Sequence, residues 1–307
     1  MNKIKVGLIY GGQSFEHEVS LETARSIREN IDTDKFELID IFIDRDGKFD
    51  ESLLDQIDVA FLAVHGPNCE DGKLQAFLEN RGVKYTGPGV EASRINMNKT
   101  VMHDVFKKNG LPTVDYKGFA EIDQTIIIKY IKETGLPVIV KPNNMGSSVG
   151  MTKLDRIDEI DIALKMALQC DDSIIIEKAI PKPREIEVAV MGNDKLIISE
   201  PGEVLTNGNV YSYETKYLNP FSTTVNTNLD QHQKDYVKST AEKAYIVTGC
   251  KGYSRIDFLL SEEKIYINEI NTLPGFTSIS MFPKLMANIG IDYKDLITRI
   301  INLALEN

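Results

Sequence analysis

The sequence is short of several things, and each shortage removes a class of protein. It has only three cysteines in 307 residues, Cys69, Cys170 and Cys250. They are odd in number and far apart, so they suit a reducing compartment, as small semi-buried hydrophobes, better than a disulfide framework. Positive charge is outweighed: 35 Lys and Arg against 46 Asp and Glu leave a net charge of −11. A broad surface for nucleic acid or anionic lipid is therefore not expected, although a small basic pocket is compatible with that total. No apolar run approaches the length of a membrane span. The first residues run directly into strand-like sequence, with no apolar stretch long enough for a secretory leader. Internal repeats and low-complexity segments are lacking too. Together these absences point to a cytoplasmic protein that binds neither nucleic acid nor membrane.

What is present is a globular composition, 42% hydrophobic, over a length that exceeds one ordinary core. Two or three domains are expected. Residues 1–95 alternate strand and helix patterns, with strands at 3–10, 36–43 and 59–64 and helices at 20–31 and 73–80. That alternation predicts a parallel α/β sheet. Gly11-Gly12 follows the first strand, where a loop can face an anionic group, but the third glycine of a dinucleotide fingerprint is missing. A helix at 96–109 leads through Gly110-Leu111-Pro112 to a middle segment of strands and a helix at 155–169. Pro181-Lys182-Pro183 marks a boundary. The last part carries strands at 185–191 and 195–200, a polar loop at 203–225, a helix at 233–248, a hairpin, and helices at 280–289 and 292–305. A loop that long without an element of its own suggests an active-site lid.

The hairpin is the most informative segment. Residues 252–260 and 264–270 are strand-like and are separated by Ser261-Glu262-Glu263. With a three-residue turn, facing residues sum to 524, so Arg255 faces Glu269 and Asp257 faces Ile267. Asn271 continues the same side. One face then carries a guanidinium, two carboxylates and a carboxamide, while Ile256, Phe258, Leu260 and Ile270 point into a core. Carboxylates this close repel one another unless a cation neutralises them. Hard oxygen ligands suit Mg2+, which usually arrives with substrate phosphates. The plainer alternative is a solvated strand face with one salt bridge. Residues 137–150 supply a second feature, an apolar strand ending at Lys141 and a small-residue loop, Gly146-Ser147-Ser148-Val149-Gly150, leading to a strand near 149–153. Such a loop lets backbone N–H groups approach an anion, although by itself it is also an ordinary turn.

Further blocks complete a pattern. They are Gly11-Gly12-Gln13-Ser14-Phe15-Glu16-His17-Glu18-Val19-Ser20, His65-Gly66 with Glu70-Asp71-Gly72, Tyr85-Thr86-Gly87, Met97-Asn98-Lys99 and Val140-Lys141-Pro142. Glu177-Lys178, Arg184-Glu185-Ile186-Glu187-Val188 and Tyr213-Glu214-Thr215-Lys216-Tyr217 follow. In this order and spacing the chain resembles the D-alanine–D-alanine ligases of the ATP-grasp superfamily over essentially its full length. The resemblance implies an α/β, three-domain ATP-grasp fold with an N-terminal Rossmann-like parallel sheet domain. The domains would be 1–95, 96–182 and 183–307, the last with the lid loop 203–225, and ATP would be gripped between the middle and last. It implies ATP-dependent joining of two D-alanines in a homodimer, with a ligase making D-alanine–D-lactate or D-alanine–D-serine as the related alternative.

Site roles are also implied by the resemblance. Asp257, Glu269 and Asn271 match metal ligands for two Mg2+ ions, with Glu269 shared and Mn2+ able to substitute. Lys99, Lys141 and Lys216 match phosphate contacts, and Ser147 and Ser148 lie in the phosphate-side loop. Glu177, Lys178 and Ile180 match the adenine pocket and Glu185 the ribose contact, with Glu187 a neighbouring acid. Glu16, Ser147 and Tyr217 match a hydrogen-bonded trio around the first D-alanine, near His65. Arg255 and the Gly275 N–H would stabilise an oxyanion, and Ser280 and Met281 would form the pocket of the second D-alanine. Some positions depart from the common family wording: Phe15, Asn98, Asn143-Asn144-Met145 and Met281.

Overall fold

The computed structural model describes residues 3–205, 222–261 and 264–306. Near the N-terminus, β1 (Ile4–Gly11), β2 (Phe36–Ile43) and β3 (Val59–Ala63) form a parallel sheet in the order β2-β1-β3. The β1 run is apolar on both sides of its pleat, as a strand buried on both faces requires, and Val6, Leu8 and Ile9 are inaccessible to solvent. Gly11 ends this strand at φ +94°, and a Cβ there would lie 2.2 Å from the Ile43 carbonyl oxygen, so only glycine fits. The helix His17–Asn30 follows.

A second, antiparallel sheet takes the order β4-β7-β5-β6, from β4 (Tyr116–Phe119), β5 (Val138–Pro142), β6 (Thr152–Leu154) and β7 (Ile174–Lys178). The third sheet has β8 (Arg184–Met191) at its centre. It pairs with β10 (Gly202–Leu205) and the short β9 (Ile197–Ile198) on one side and β12 (Tyr253–Leu260) on the other. The strands β11 (Ser222–Thr224) and β13 (Ile265–Asn271) form its edges.

Each sheet has its own core. The parallel sheet packs with the helices Met281–Asn288 and Tyr293–Glu306, and Phe61 meets Phe276 edge-on at 5.6 Å. The helix Gln231–Val247 buries Val237, Ala241, Ala244 and Tyr245 with Ile186, Val188, Ile256 and Phe258 of the third sheet. Ile127, Ile131, Val138, Val140, Ile174 and Ile176 form the core of the second.

Several expectations need correction. The helix placed at 96–109 is two helices, Val90–Met97 and Lys99–Lys108, broken at Asn98, whose extended backbone and side-chain bond to the Val101 N–H make it an N-cap. The helix Gln124–Thr134 was hidden by its β-branched run Ile126-Ile127-Ile128, which reads as strand; Asp123 caps it through the N–H groups of Thr125 and Ile126. The helix at 155–169 is narrower, Ile160–Leu168 after a 3-10 turn, and the strand at 195–200 shrinks to two residues. The ends of the 203–225 loop are themselves paired strands, Glu203 opposite Thr224 and Leu205 opposite Ser222. Lys216 and Tyr217 lie outside the described residues.

Candidate active site

The hairpin is present, with a different register. Arg255 lies opposite Asn271 and Asp257 opposite Glu269, with a bulge between Asp257 and Phe258. At the turn end Leu260 lies opposite Ile265, and the Ser261 N–H donates to the Lys264 carbonyl at 2.8 Å, a shift of one residue from the expected pairing. Asn268 is then the extra residue of the bulge. The net slip at this end is two residues, which leaves every functional side chain on its expected face because strand alternation has period 2. Ile256, Phe258, Leu260 and Ile270 are buried in the core, as expected.

Across three adjacent strands, Glu187, Asp257 and Glu269 fall in one register row. Arg255 spans part of that row. Its Nε and Nη2 donate to Asp257 Oδ1 and Oδ2, both at 2.7 Å, and its Nε lies 3.2 Å from Glu187 Oε2. Asn271 Nδ2 adds a 2.8 Å bond to Asp257 Oδ2. The expected Arg255–Glu269 pairing is replaced by this bidentate grip on Asp257. Among the described residues, no three His, Cys, Asp or Glu side chains are gathered for a metal. The donor set is instead two facing carboxylates and a carboxamide, Asp257, Glu269 and Asn271, all hard oxygen ligands. That chemistry fits Mg2+.

Lys99 approaches the same row. Its Nζ is 3.9 Å from Glu269 Oε2 and donates to the Met145 carbonyl at 2.5 Å. Three residues absent from the expected site hold it there. The Asn143 carbonyl accepts the Lys99 N–H at 3.0 Å, and Asn143 Oδ1 accepts from Thr100. Asn98 donates to Asn144 Oδ1, and Asn144 is fixed by Asp171. The asparagines that depart from the family wording are therefore the struts of the loop. Lys99, Lys141, Met145, Ser148 and Glu269 share the lining of a cavity of about 50 Å³. In the loop beside it Ser147 and Ser148 have φ of 52° and 58°, a left-handed conformation that non-glycine residues adopt mainly where surrounding structure imposes it.

Lys141 Nζ donates to Glu177 Oε2 at 2.7 Å, both side chains being buried. Burial by itself pushes Glu177 up, but the Lys141 ammonium and His103 outweigh it and hold this carboxyl well below the usual range. Lys178 Nζ is engaged by the carbonyls of Gly135 and Leu136. Ile180 and Glu185 are half-buried at the end of the second sheet and the start of β8.

The Ser147 hydroxyl donates to Glu16 Oε1, so two members of the expected trio meet across 131 residues. His65 is buried; its Nδ1 lies 3.0 Å from the Leu273 carbonyl and its Nε2 3.2 Å from Thr23 Oγ1. A carbonyl only accepts, so Nδ1 carries the proton. Burial lowers the His65 pKa, opposed by the nearby Glu16 charge. Glu70, outside the expected site, accepts the N–H groups of Gly66 at 2.7 Å and Leu273 at 3.1 Å. Leu273 is thus held at its N–H by Glu70 and at its carbonyl by His65, which sets the turn carrying Gly275. A Cβ on Gly275 would lie 3.2 Å from Ser280 Oγ, so these two residues face each other. Met281 is buried against Gly202.

Comparison with known proteins gives a consistent result. The family model "D-ala D-ala ligase C-terminus" matches residues 105–302, and "D-ala D-ala ligase N-terminus" matches residues 5–55 and 49–88. A D-alanine–D-alanine ligase of Chloroherpeton thalassium is 38% identical, over 100% of this chain and 97% of its own length. The VanG D-Ala:D-Ser ligase of Enterococcus faecalis superposes with a TM-score of 0.88 at 29% identity, covering 99% of this chain and 100% of that one. The D-alanine–D-alanine ligase of Bacillus anthracis complexed with ATP superposes at 0.84 with 27% identity, covering 99% and 98%.

Proposed function

The chain belongs to the D-alanine–D-alanine ligase family, and on that premise we propose how its own residues divide the work. It is an ATP-dependent ligase of the ATP-grasp fold. It joins two D-alanine molecules into D-alanyl-D-alanine through an acyl phosphate, for peptidoglycan precursor synthesis. A carboxylate is a poor electrophile, so phosphorylation by ATP supplies the leaving group that the second amine displaces. The protein's task is to position the reactants and to offset charge.

The observation that carries the assignment of residues is the carboxylate row of Glu187, Asp257 and Glu269 beside Lys99 and the loop at 143–150. Asp257, Glu269 and Asn271 would hold the two Mg2+ ions. When bound, Mg2+ neutralises phosphate charge. Lys99, Lys141 and Lys216 offset the triphosphate, and Ser147 and Ser148 line its side of the pocket. The second sheet's end at Glu177, Lys178 and Ile180, with Glu185 on β8, encloses the nucleoside. Glu16, steadied by Ser147 and joined by Tyr217, holds the ammonium of the first D-alanine, a charge-assisted contact beside His65. Arg255 and the Gly275 N–H meet the oxyanion of the tetrahedral intermediate. Ser280 and Met281, at the first turn of a helix, flank the second D-alanine.

Domains at 1–95, 96–182 and 183–307, with the 203–225 segment as lid, are favoured by the three sheets, one of which falls in each. The first core also takes in the helices Met281–Asn288 and Tyr293–Glu306, and the third sheet's core takes in Met102 and Phe106. We assign the protein to the cytoplasm as a homodimer; among the described residues no helix is long and apolar enough to cross a membrane. The second reading, a D-alanine–D-serine or D-alanine–D-lactate ligase, has the likeness to the VanG enzyme in its favour. Tyr217 in the Glu214-Thr215-Lys216-Tyr217 setting favours the dipeptide. Phosphate release with D-alanine alone, and with D-serine or D-lactate added, followed by mass analysis of products, separates them. D-Alanyl-D-alanine as the main product in every mixture is the expected result, and a mixed product in excess overturns it.

A further inference from the structure

The residue of greatest interest outside the assigned site is His103. It lies on the helix Lys99–Lys108, four positions after Lys99, so one helix face delivers both side chains toward the second sheet. It is fully buried. Its Nε2 is 3.3 Å from Glu177 Oε1, and its Nδ1 meets the Thr113 hydroxyl. An ionised carboxylate can only accept, so Nε2 carries a proton toward Glu177, and the Thr113 hydroxyl, able to donate or accept, pairs with Nδ1. The ring is stacked on Tyr116 at 4.7 Å with Phe106 at its edge. The other Glu177 oxygen, Oε2, takes the Lys141 ammonium at 2.7 Å. The chain of contacts therefore runs from Thr113 through His103 and Glu177 to Lys141, and Lys141 lines the cavity shared with Lys99 and Glu269.

We propose that His103 is a positioning residue for ATP: it fixes the Glu177 carboxylate from behind, so that Glu177 aims Lys141 at the phosphates. The proposal rests on the reading of Lys141 as a phosphate contact. Glu177, which the proposed function places beside the nucleoside, is in this account also the internal strut between the helix and the phosphate lysine. Removing the His103 donor leaves a buried carboxylate oxygen short of a partner. Glu177 then turns to recover one and carries Lys141 with it.

The test compares His103→Phe, which keeps an aromatic ring on Tyr116 but has no donor, with His103→Gln, which retains an N–H. Thr113→Val removes the group that orients the imidazole. Michaelis constants are measured for ATP and D-alanine separately, and ADP binding by calorimetry on the full chain. A lost hydrogen bond to a charged group predicts that His103→Phe weakens ATP and ADP roughly tenfold. D-Alanine stays near its wild-type value, His103→Gln recovers most of the loss, and Thr113→Val shows a smaller shift of the same kind. Equal weakening of ATP and D-alanine, or a folded His103→Phe with unchanged ADP affinity, overturns the proposal. So does a His103→Gln as impaired as His103→Phe. If His103→Phe fails to fold, the Thr113→Val shift in ADP affinity decides. Lys141→Met is the control. If it leaves ATP parameters unchanged, the phosphate assignment itself fails; if it impairs ATP while the His103 variants do not, only the His103 role fails.

Discussion

Replacing Asp257 by asparagine separates the chemistry of this site from its stability. The carboxylate accepts three bonds, two from Arg255 at 2.7 Å and one from Asn271 at 2.8 Å. Asparagine preserves the volume but exchanges one acceptor oxygen for an amide NH2. In either orientation a donor then meets a donor. The side chain is only 14% exposed, so the mismatch is poorly relieved by water. Breaking a buried pair costs roughly 3–5 kcal/mol when it strands a charge. Arg255 is not stranded here, because Glu187 remains at 3.2 Å, and repulsion within the carboxylate row falls. A folding cost of about 1–2 kcal/mol follows, near that of one charged hydrogen bond. The catalytic cost is larger, because charge facing Mg2+ is lost in the transition state. A loss of roughly 10²–10³ in kcat is expected. Thermal melting should show a folded protein with a modestly lower Tm, while phosphate release nearly vanishes, and Glu269→Gln should behave alike. Near-normal kcat in either folded variant would refute the metal assignment.

Lys141→Met should impair ATP use far more than D-alanine use in initial-rate measurements; a selective rise in the D-alanine Michaelis constant contradicts the phosphate role. Tyr217→Phe should let D-lactate compete better with D-alanine, by up to about tenfold for one lost hydrogen bond, and more at pH 6 than at pH 8 because the attacking amine must be deprotonated. Unchanged product ratios at both pH values remove Tyr217 from acceptor choice. Glu70 is raised from 4.5 to about 8 by burial and then by the nearby Glu16 charge. The folded state thus holds this proton more tightly than the unfolded chain, and its stabilising contribution is lost as pH rises from about 4.5 through 8. Glu70→Gln should flatten Tm against pH over that window, and an unchanged slope rejects the assignment.

The strands at 36–43 and the helix at 73–80 were legible from local pattern, and their bounds agree with the structure. So was the set of side chains on the functional face of the hairpin, because parity survives a two-residue slip. The family motifs marked most of the remaining site. The Gln124–Thr134 helix was not legible, since its isoleucines favour strand until Asp123 caps them and the core takes up Ile127 and Ile131.

Periodicity is imposed by the backbone within a few residues, so the sequence by itself determined the strongly patterned elements such as the strand at 36–43 and the two hairpin strands, which of their faces are apolar and which acids share a face. Register depends on how the 261–264 turn closes and where Asn268 bulges, so only the structure decided that Arg255 grips Asp257 and not Glu269. The His65 and Glu70 bonds to Leu273 span 208 and 203 residues, and His103 meets Glu177 across 74. No local pattern encodes such pairs: they form when separately built cores dock and buried polar groups must find partners away from water.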